Sequence, residues 1–230
     1  MIEFLPVLVL VLTFVILLII GVPVAWCIAI SSMFTLMLAM PVSAATTTVS
    51  QRIATGLDSF ALLAIPFFIL SGQIMSKGGI ANRLISFAKT LVGFLPGGLA
   101  LINIVSAMLM GAIAGSAMAS ASAMGTILGP EMEKEGYSKE FGAAVNITSS
   151  TTGLVIPPSN TLIVYSLASG GVSIAALFLA GYIPGILTGL LMMIVAMIWA
   201  KKNNYPVGKR SSLKEVFVKF IDAFPSLLLL

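Results

Sequence analysis

A helix interrupted by two consecutive prolines carries the residues best suited to chemistry in this sequence. Residues Asn146–Asn160 read Asn-Ile-Thr-Ser-Ser-Thr-Thr-Gly-Leu-Val-Ile-Pro-Pro-Ser-Asn. Pro157 and Pro158 lack amide hydrogens and clash with the preceding turn, so helical hydrogen bonding must lapse near Leu154–Ile156. In a bilayer, freed carbonyls are tolerated only where protein or a water-filled cavity receives them. The pattern predicts an ion or solute site; the alternative is a plain proline kink.

A second segment, Leu99–Gly129, has an unusual length for a membrane element. At about 30 residues it is too short for two full spans and too long for one typical helix. Small residues fill its centre, Gly111–Gly125. We predict two half-length helices that meet near Gly115–Ser116 and form a re-entrant hairpin. The alternative is one long helix that packs through its small residues.

The predicted hairpin tip and the predicted break share neutral oxygen donors. Hydroxyls and free carbonyls without a carboxylate suit a monovalent cation such as sodium, because divalent ions usually recruit Asp or Glu. A helix that resumes after Pro158 would also direct its positive N-terminal end at a substrate carboxylate. For any single hydroxyl, the alternative is a bond back to a carbonyl one turn earlier. The candidate side chains are Ser116, Ser120, Ser122, Thr148, Ser149, Ser150, Thr151, Thr152, Ser159 and Asn160.

Composition defines the class to which these elements belong. The 230 residues are 59% hydrophobic and 9% charged, which predicts an integral membrane protein. The chain has no histidine and a single cysteine, Cys27, so His-based catalysis, most zinc sites and an intrachain disulfide are excluded. No phosphate-binding Gly-Lys-Ser/Thr motif is present. We therefore predict a protein that is not an enzyme and has no cofactor, and the net charge of +4 indicates basic loops rather than a nucleic-acid partner.

Apolar runs and breaks predict an all-α polytopic membrane protein with a fixed order of elements. Val42–Gly56, rich in Thr, Ser and Ala, is interpreted as an exposed connection. Apart from Arg52, the basic residues fall in loops predicted to face the cytoplasm, which with three spans before Gly78 predicts a periplasmic or extracellular N-terminus. The predicted order is three transmembrane helices over 1–76, an amphipathic surface helix over 77–95, the re-entrant hairpin over 96–130, helices over 131–200 that include the broken helix 140–166 and the span 174–200, and a cytoplasmic surface helix with the start of another span over 201–230.

Three motifs together give the chain a family resemblance. Gly115–Gly125, Gly136–Val145 and Ile156–Asn160 resemble the large membrane subunit of the TRAP transporters, tripartite ATP-independent periplasmic transporters. The resemblance implies a sodium-coupled, binding-protein-dependent importer of organic acids, of the C4-dicarboxylate or sialic acid class, in a bacterial inner membrane. It implies two inverted repeats that move substrate in an elevator-like manner. This chain shows that order of elements once, so we expect the N-terminal half of a permease, with the second half on the same or another chain.

The resemblance also implies site residues and partners. The partners are a small four-helix membrane subunit, a periplasmic substrate-binding protein and the lipid bilayer, with sodium as the coupling ion. A non-transporting membrane scaffold or a channel subunit is the alternative function. The implied sodium ligands are Ser116, Ser120, Ser149, Thr151, Gly153 and Pro157, and the implied substrate-binding residues are Ser122, Ser159 and Asn160.

Overall fold

The computed structural model describes residues 4–58 and 60–228. The chain divides into two compact units, residues 1–60 and 61–230. Helices dominate both units, and the described residues contain no β-strand beyond a single isolated bridge between Pro96 and Val207. The all-α class predicted from the composition is confirmed.

The first unit contains three helices, and two of them begin directly after a proline. The three helices are α1 (Phe4–Ile19), α2 (Val24–Met37) and α3 (Val42–Leu57). Pro23 and Pro41 precede α2 and α3, where the fixed φ of proline favours a helix start. No described side chain of α1 is buried, although α1 packs against α2. Such exposed apolar helices need lipid or further protein around them.

The interpretation of Val42–Gly56 as a connection is corrected by the structure, because this segment forms the helix α3. Its threonines bond back into the helix: Thr47 Oγ1 donates to Ser43 O at 2.8 Å and Thr55 Oγ1 to Gln51 O at 2.8 Å. These bonds satisfy hydroxyls that would otherwise compete with the helix. The predicted exposure is found, since most side chains of α3 are exposed.

The second unit is built around one almost completely buried helix, α6 (Gly98–Ala114). It packs against α5, α7, α8 and α10. The other helices of this unit are α4 (Phe60–Lys77), α5 (Ile80–Val92), α7 (Ala117–Lys134), α8 (Lys139–Ser150), α9 (Asn160–Ala168), α10 (Ile174–Lys202) and α11 (Leu213–Leu227), with a 3-10 turn at Thr151–Leu154.

Helix α5 has the two faces that its sequence predicts. Leu84, Ile85 and Ala88 are buried, whereas Arg83 and Lys89 are exposed. The buried and exposed side chains thus lie on two different faces of α5, and the location of this helix on a membrane surface stays a prediction. Helix α5 also packs against α11 through a contact between the rings of Phe87 and Phe220, whose centroids are 5.7 Å apart.

Helix α10 is the element with the clearest membrane-spanning character. Its 29 residues are long and apolar enough to cross a membrane by themselves. The helix starts at the cap Ser173 and ends with Lys201 and Lys202 in its last turn. Near that end, the ring of Tyr205 stacks on Tyr137 with centroids 4.3 Å apart, and burial raises the pKa of Tyr137 to about 12.

Candidate functional site

The hairpin tip lies where α6 ends and α7 begins. Gly115 has a φ of +59°, a left-handed conformation that glycine adopts without steric cost. Ser116 then caps α7, because its hydroxyl accepts a hydrogen bond from the amide of Ala119 at 3.4 Å. The two helices fold back on each other, and Ser120 Oγ donates to Ala107 O at 3.2 Å. The chain therefore breaks at Gly115–Ser116 and does not form one long helix, and a re-entrant course of these two helices in a membrane stays a prediction.

The helix break covers more residues than Leu154–Ile156. Helix α8 ends at Ser150, the 3-10 turn follows, and helical structure resumes only at Asn160. Ser159 caps α9 and its hydroxyl donates to Leu154 O at 2.6 Å, so one side chain joins both sides of the break. The two prolines supply no amide donor in between.

The hairpin tip and the helix break are in direct backbone contact. A methyl group built on Gly153 would lie 2.9 Å from the Cα atom of Gly111, and one built on Gly115 would lie 2.8 Å from Pro158 O. The amide of Asn160 donates to Gly115 O at 3.4 Å. Glycine is required at these contacts because any side chain would separate the two backbones.

Several carbonyl groups of the break accept no hydrogen bond from the described residues. Within residues 4–58 and 60–228, no hydrogen bond ends on the carbonyl oxygen of Gly153, Val155 or Ile156. Gly181 of α10 covers Val155 O, since a methyl group built on Gly181 would lie 2.4 Å from that oxygen. Unpaired carbonyls beside a glycine contact are suitable ligands for a cation that prefers neutral oxygens.

Most of the candidate hydroxyls bond to nearby carbonyls. Thr151 Oγ1 is exposed and donates to Thr148 O at 2.6 Å. Ser149 is buried, with Oγ 3.2 Å from Asn146 O. Donation of a hydroxyl hydrogen leaves the oxygen lone pairs free, so these residues retain the capacity to bind a cation. Because Ser120 and Ser159 also donate to main-chain carbonyls, bonding back to the main chain is the common state of these hydroxyls.

The predicted site residues fall into two groups in space. Gly153, Asn160 and the start of α7 at Ser116 meet at the contact between tip and break. Ser122 is exposed on α7 and lines a cavity of about 650 Å³, which Ser116, Gln73 and other residues of α4 and α7 also line. Ser116 thus borders both regions, whereas Ser159 is fully buried within the break.

Two asparagines that the sequence analysis did not select belong to the same region. Asn103 is buried in α6, and its Oδ1 lies 3.3 Å from Ser149 Oγ. Asn146 donates from Nδ2 to Ala121 O of α7 at 2.9 Å, while its buried Oδ1 has no partner among the described residues. Asn103 is the one amide side chain in the apolar sequence of α6. A single polar residue in an otherwise apolar helix could have indicated this position from the sequence.

A row of buried glycines on one face of α10 packs close to the helix break. Gly181, Gly185 and Gly189 are buried at intervals of one turn. A methyl group built on Gly185 would lie 2.4 Å from Ile156 Cγ1, and one built on Gly189 would lie 2.2 Å from the sulfur of Met108. This small-residue face lets α10 approach the interrupted backbone closely.

Acidic side chains lie away from this region. Among the described residues, no group of three His, Cys, Asp or Glu side chains is arranged to hold a metal ion. The carboxylates nearest in sequence, Glu131 and Glu140, are exposed at the ends of α7 and α8. The oxygens available at the contact between tip and break are thus hydroxyl, amide and carbonyl oxygens.

These features define a helical membrane protein in which a hairpin of two helices contacts a broken helix through glycine. The chain belongs to the family described as the DctM component of the tripartite ATP-independent periplasmic transporters, whose model matches residues 11–230. The family resemblance seen in the three motifs is therefore confirmed.

Sequence relatives agree with this family. The chain is 55% identical over 225 residues to a protein of Salmonella typhimurium named uncharacterized protein YgiK, covering 98% of this chain and 52% of the relative. It is 41% identical to the C4-dicarboxylate TRAP transporter large permease protein DctM of Vibrio cholerae, covering 85% and 44%. It is 37% identical to the sialic acid TRAP transporter large permease protein SiaM of that organism, covering 78% and 42%. The chain spans about half the length of these curated relatives.

Proposed function

We propose that this chain is the N-terminal half of a permease that imports an organic acid together with sodium. The observation that carries the proposal is the contact of the hairpin tip with the helix break, where the carbonyls of Gly153 and Ile156 accept no hydrogen bond in the described part of the chain. Unpaired carbonyls and neutral hydroxyls are the ligands that a discontinuous membrane helix offers to a coupling ion. Ser116 and Thr151 add hydroxyl oxygens beside them.

The proposed substrate is a carboxylate of the C4-dicarboxylate or sialic acid class. Two relatives are named for transport of these acids, and the N-terminal end of α9 at Ser159 and Asn160 carries the positive partial charge that attracts an anion. Ser122 lines the neighbouring cavity on α7. A second half of the permease would complete the substrate site and supply a second sodium site.

The proposed mechanism is an elevator-like movement of the hairpin and the broken helix against scaffold helices of residues 1–76, in an inner membrane with the N-terminus periplasmic. The proposed partners are a periplasmic substrate-binding protein and a small membrane subunit. A relative from Oleidesulfovibrio alaskensis named isethionate TRAP transporter permease protein DctMQ supports the second partner, because its name joins the two components.

Uptake by the full-length permease, reconstituted in vesicles with both partners, tests this function. We expect uptake of labelled C4-dicarboxylate or sialic acid to require an inward sodium gradient. Joint substitution Ser116→Ala and Thr151→Ala should reduce sodium-dependent uptake, whereas Thr46→Ala on exposed α3 should not. Uptake that persists unchanged in choline, or in the double variant, would contradict the proposal. Solute currents without the binding protein would favour the channel subunit instead.

A further inference from the structure

A small polar cavity lies between α6, α7 and α8. Its volume is about 230 Å³, and Gly125, Gly129 and Gly142 are part of its lining, so few side-chain atoms fill the space. Asn103 of α6 and Asn146 of α8 also line it. Two amide side chains therefore border a space that is large enough for several water molecules.

The only charged side chains in the described part of the cavity lining are Glu133 and Lys139. They form an ion pair, with 3.5 Å between Lys139 Nζ and Glu133 Oε2, and both residues are exposed. The lining therefore carries no net charge. An anion site requires an excess of positive charge, which this cavity lacks.

Next to Asn103, the hydroxyl of Ser149 has unusually long contacts with other oxygens. The hydroxyls of the other four residues in 148–152 each donate to a carbonyl at 2.6 or 2.7 Å. Ser149 Oγ instead lies 3.2 Å from Asn146 O and 3.3 Å from Asn103 Oδ1. Hydrogen bonds between a hydroxyl and an oxygen are normally about 2.5–3.0 Å long. Neither contact therefore satisfies the Ser149 hydroxyl well, although Ser149 and Asn103 are buried.

The spacing of these oxygens suits two ligands of one cation. Oxygens that bind the same ion at about 2.4 Å and at a right angle to each other are about 3.4 Å apart. Two atoms bridged by a water molecule are normally more than about 3.5 Å apart, so a bridging water does not explain the contact of Ser149 with Asn103. Asn146 Oδ1 is buried and has no partner among the described residues, so it is a further oxygen available at this cavity.

We propose that the amide oxygens of Asn103 and Asn146 and the hydroxyl of Ser149 bind a monovalent cation at the end of the cavity away from the exposed ion pair. Neutral oxygens without a carboxylate suit such an ion, and water in the cavity would complete its coordination. The inference rests on the proposed function, under which the ion is sodium. The position differs from the contact between tip and break, because no residue of the tip or the 3-10 turn lines this cavity.

Thermal unfolding of the full-length permease tests this cation position after the contact between tip and break is weakened by Ser116→Ala with Thr151→Ala. In this background we expect sodium chloride to stabilise the protein more than choline chloride of equal ionic strength. Asn103→Leu should raise the sodium concentration that gives half of this stabilisation by about tenfold or more. The matched control is Ser106→Ala, which alters a buried residue of α6 outside the cavity lining and should leave that concentration unchanged.

The outcomes separate this inference from the proposed function. Equal sodium dependence in Asn103→Leu and Ser106→Ala would overturn the cation position, as would a loss of all sodium-specific stabilisation in the background variant while the wild type keeps it. No sodium-specific stabilisation in the wild type would instead contradict the proposed function. If Asn103→Leu does not fold, Asn103→Asp replaces it. A carboxylate beside the ion should lower the sodium concentration for half stabilisation, and an unchanged or higher concentration would overturn the position.

Thallium(I) locates the ion directly and distinguishes it from water. Crystals of the full-length permease are soaked in thallium(I) in place of sodium, and the anomalous scattering of thallium is measured. We expect a peak beside Asn103 Oδ1 and Ser149 Oγ. Density without an anomalous signal at that position would identify a water molecule, and a peak at the contact between tip and break alone would restrict cation binding to that contact. Either result would overturn the cation position.

Discussion

At the residue scale, Ser159 determines how the chain passes from the break into α9. It is fully buried, donates to Leu154 O at 2.6 Å and accepts from the amide of Leu162 at 3.3 Å. An N-cap satisfies an amide that the helix leaves free, and the second bond holds a carbonyl from before the prolines. Ser159 therefore stabilises both sides of the interruption, whatever its role towards a substrate.

Replacement of Ser159 by alanine should destabilise the protein more than loss of an exposed cap. Ser159→Ala removes the cap, worth about 1 kcal/mol, and leaves Leu154 O unpaired, at a cost of about 1–3 kcal/mol. The matched control is Ser173→Ala, which removes only the exposed cap of α10. Thermal unfolding of both variants in the same detergent measures the difference. Equal losses of stability would show that the bond to Leu154 contributes nothing.

At the element scale, α10 and the broken helix depend on each other. The glycine face of α10 lies against Val155 and Ile156, which belong to neither α8 nor α9. A backbone without helical hydrogen bonds has little rigidity of its own, so the packing of a long helix against it fixes its position. The spacing of Gly181, Gly185 and Gly189 places all three on one side of α10.

Substitution Gly181→Ala should displace the break and reduce both thermal stability and sodium-dependent uptake. The added methyl group would lie 2.4 Å from Val155 O, a main-chain atom that cannot move without its neighbours. Gly142→Ala on α8 is the control, because its methyl group would meet only the flexible end of Met132 at 3.8 Å. A gain of stability for Gly181→Ala, as helix propensity alone would give, would contradict this role of α10.

The sequence predicts where the helices of this fold are interrupted better than it predicts which distant residues are in contact. The Gly-Ser step predicts where α6 ends, and the proline pair predicts a break before α9 but not that α8 already ends at Ser150, because the effects of these residues on the backbone are local. The many Thr and Ser residues of α3 make this helix difficult to predict, because hydroxyls that bond to nearby carbonyls occur in helices as well as in turns. The contact of Asn103 with Ser149 joins residues 46 positions apart, and no local pattern encodes it.

At the scale of the whole molecule, the second unit forms one side of an open site and does not enclose a pocket by itself. Ser122 lines an open cavity on α7, and many apolar side chains of α10 are exposed, including Ile183 at 77%. A membrane protein covers such surfaces with lipid or with further helices. These exposed surfaces agree with the proposal that a second half of the permease completes the substrate site.

The binding of sodium to the hairpin tip and helix break is the central claim, and a thermal shift measures it without transport. The full-length permease is unfolded in sodium chloride and in choline chloride of equal ionic strength. A sodium concentration of 100 times Kd should stabilise the wild type by about 2.7 kcal/mol. Ser116→Ala and Gly153→Ala should each reduce this sodium-specific shift, whereas Gly129→Ala, whose methyl group meets no atom within 4 Å, should retain it. An equal sodium shift in all four proteins, or none in the wild type, would contradict the claim.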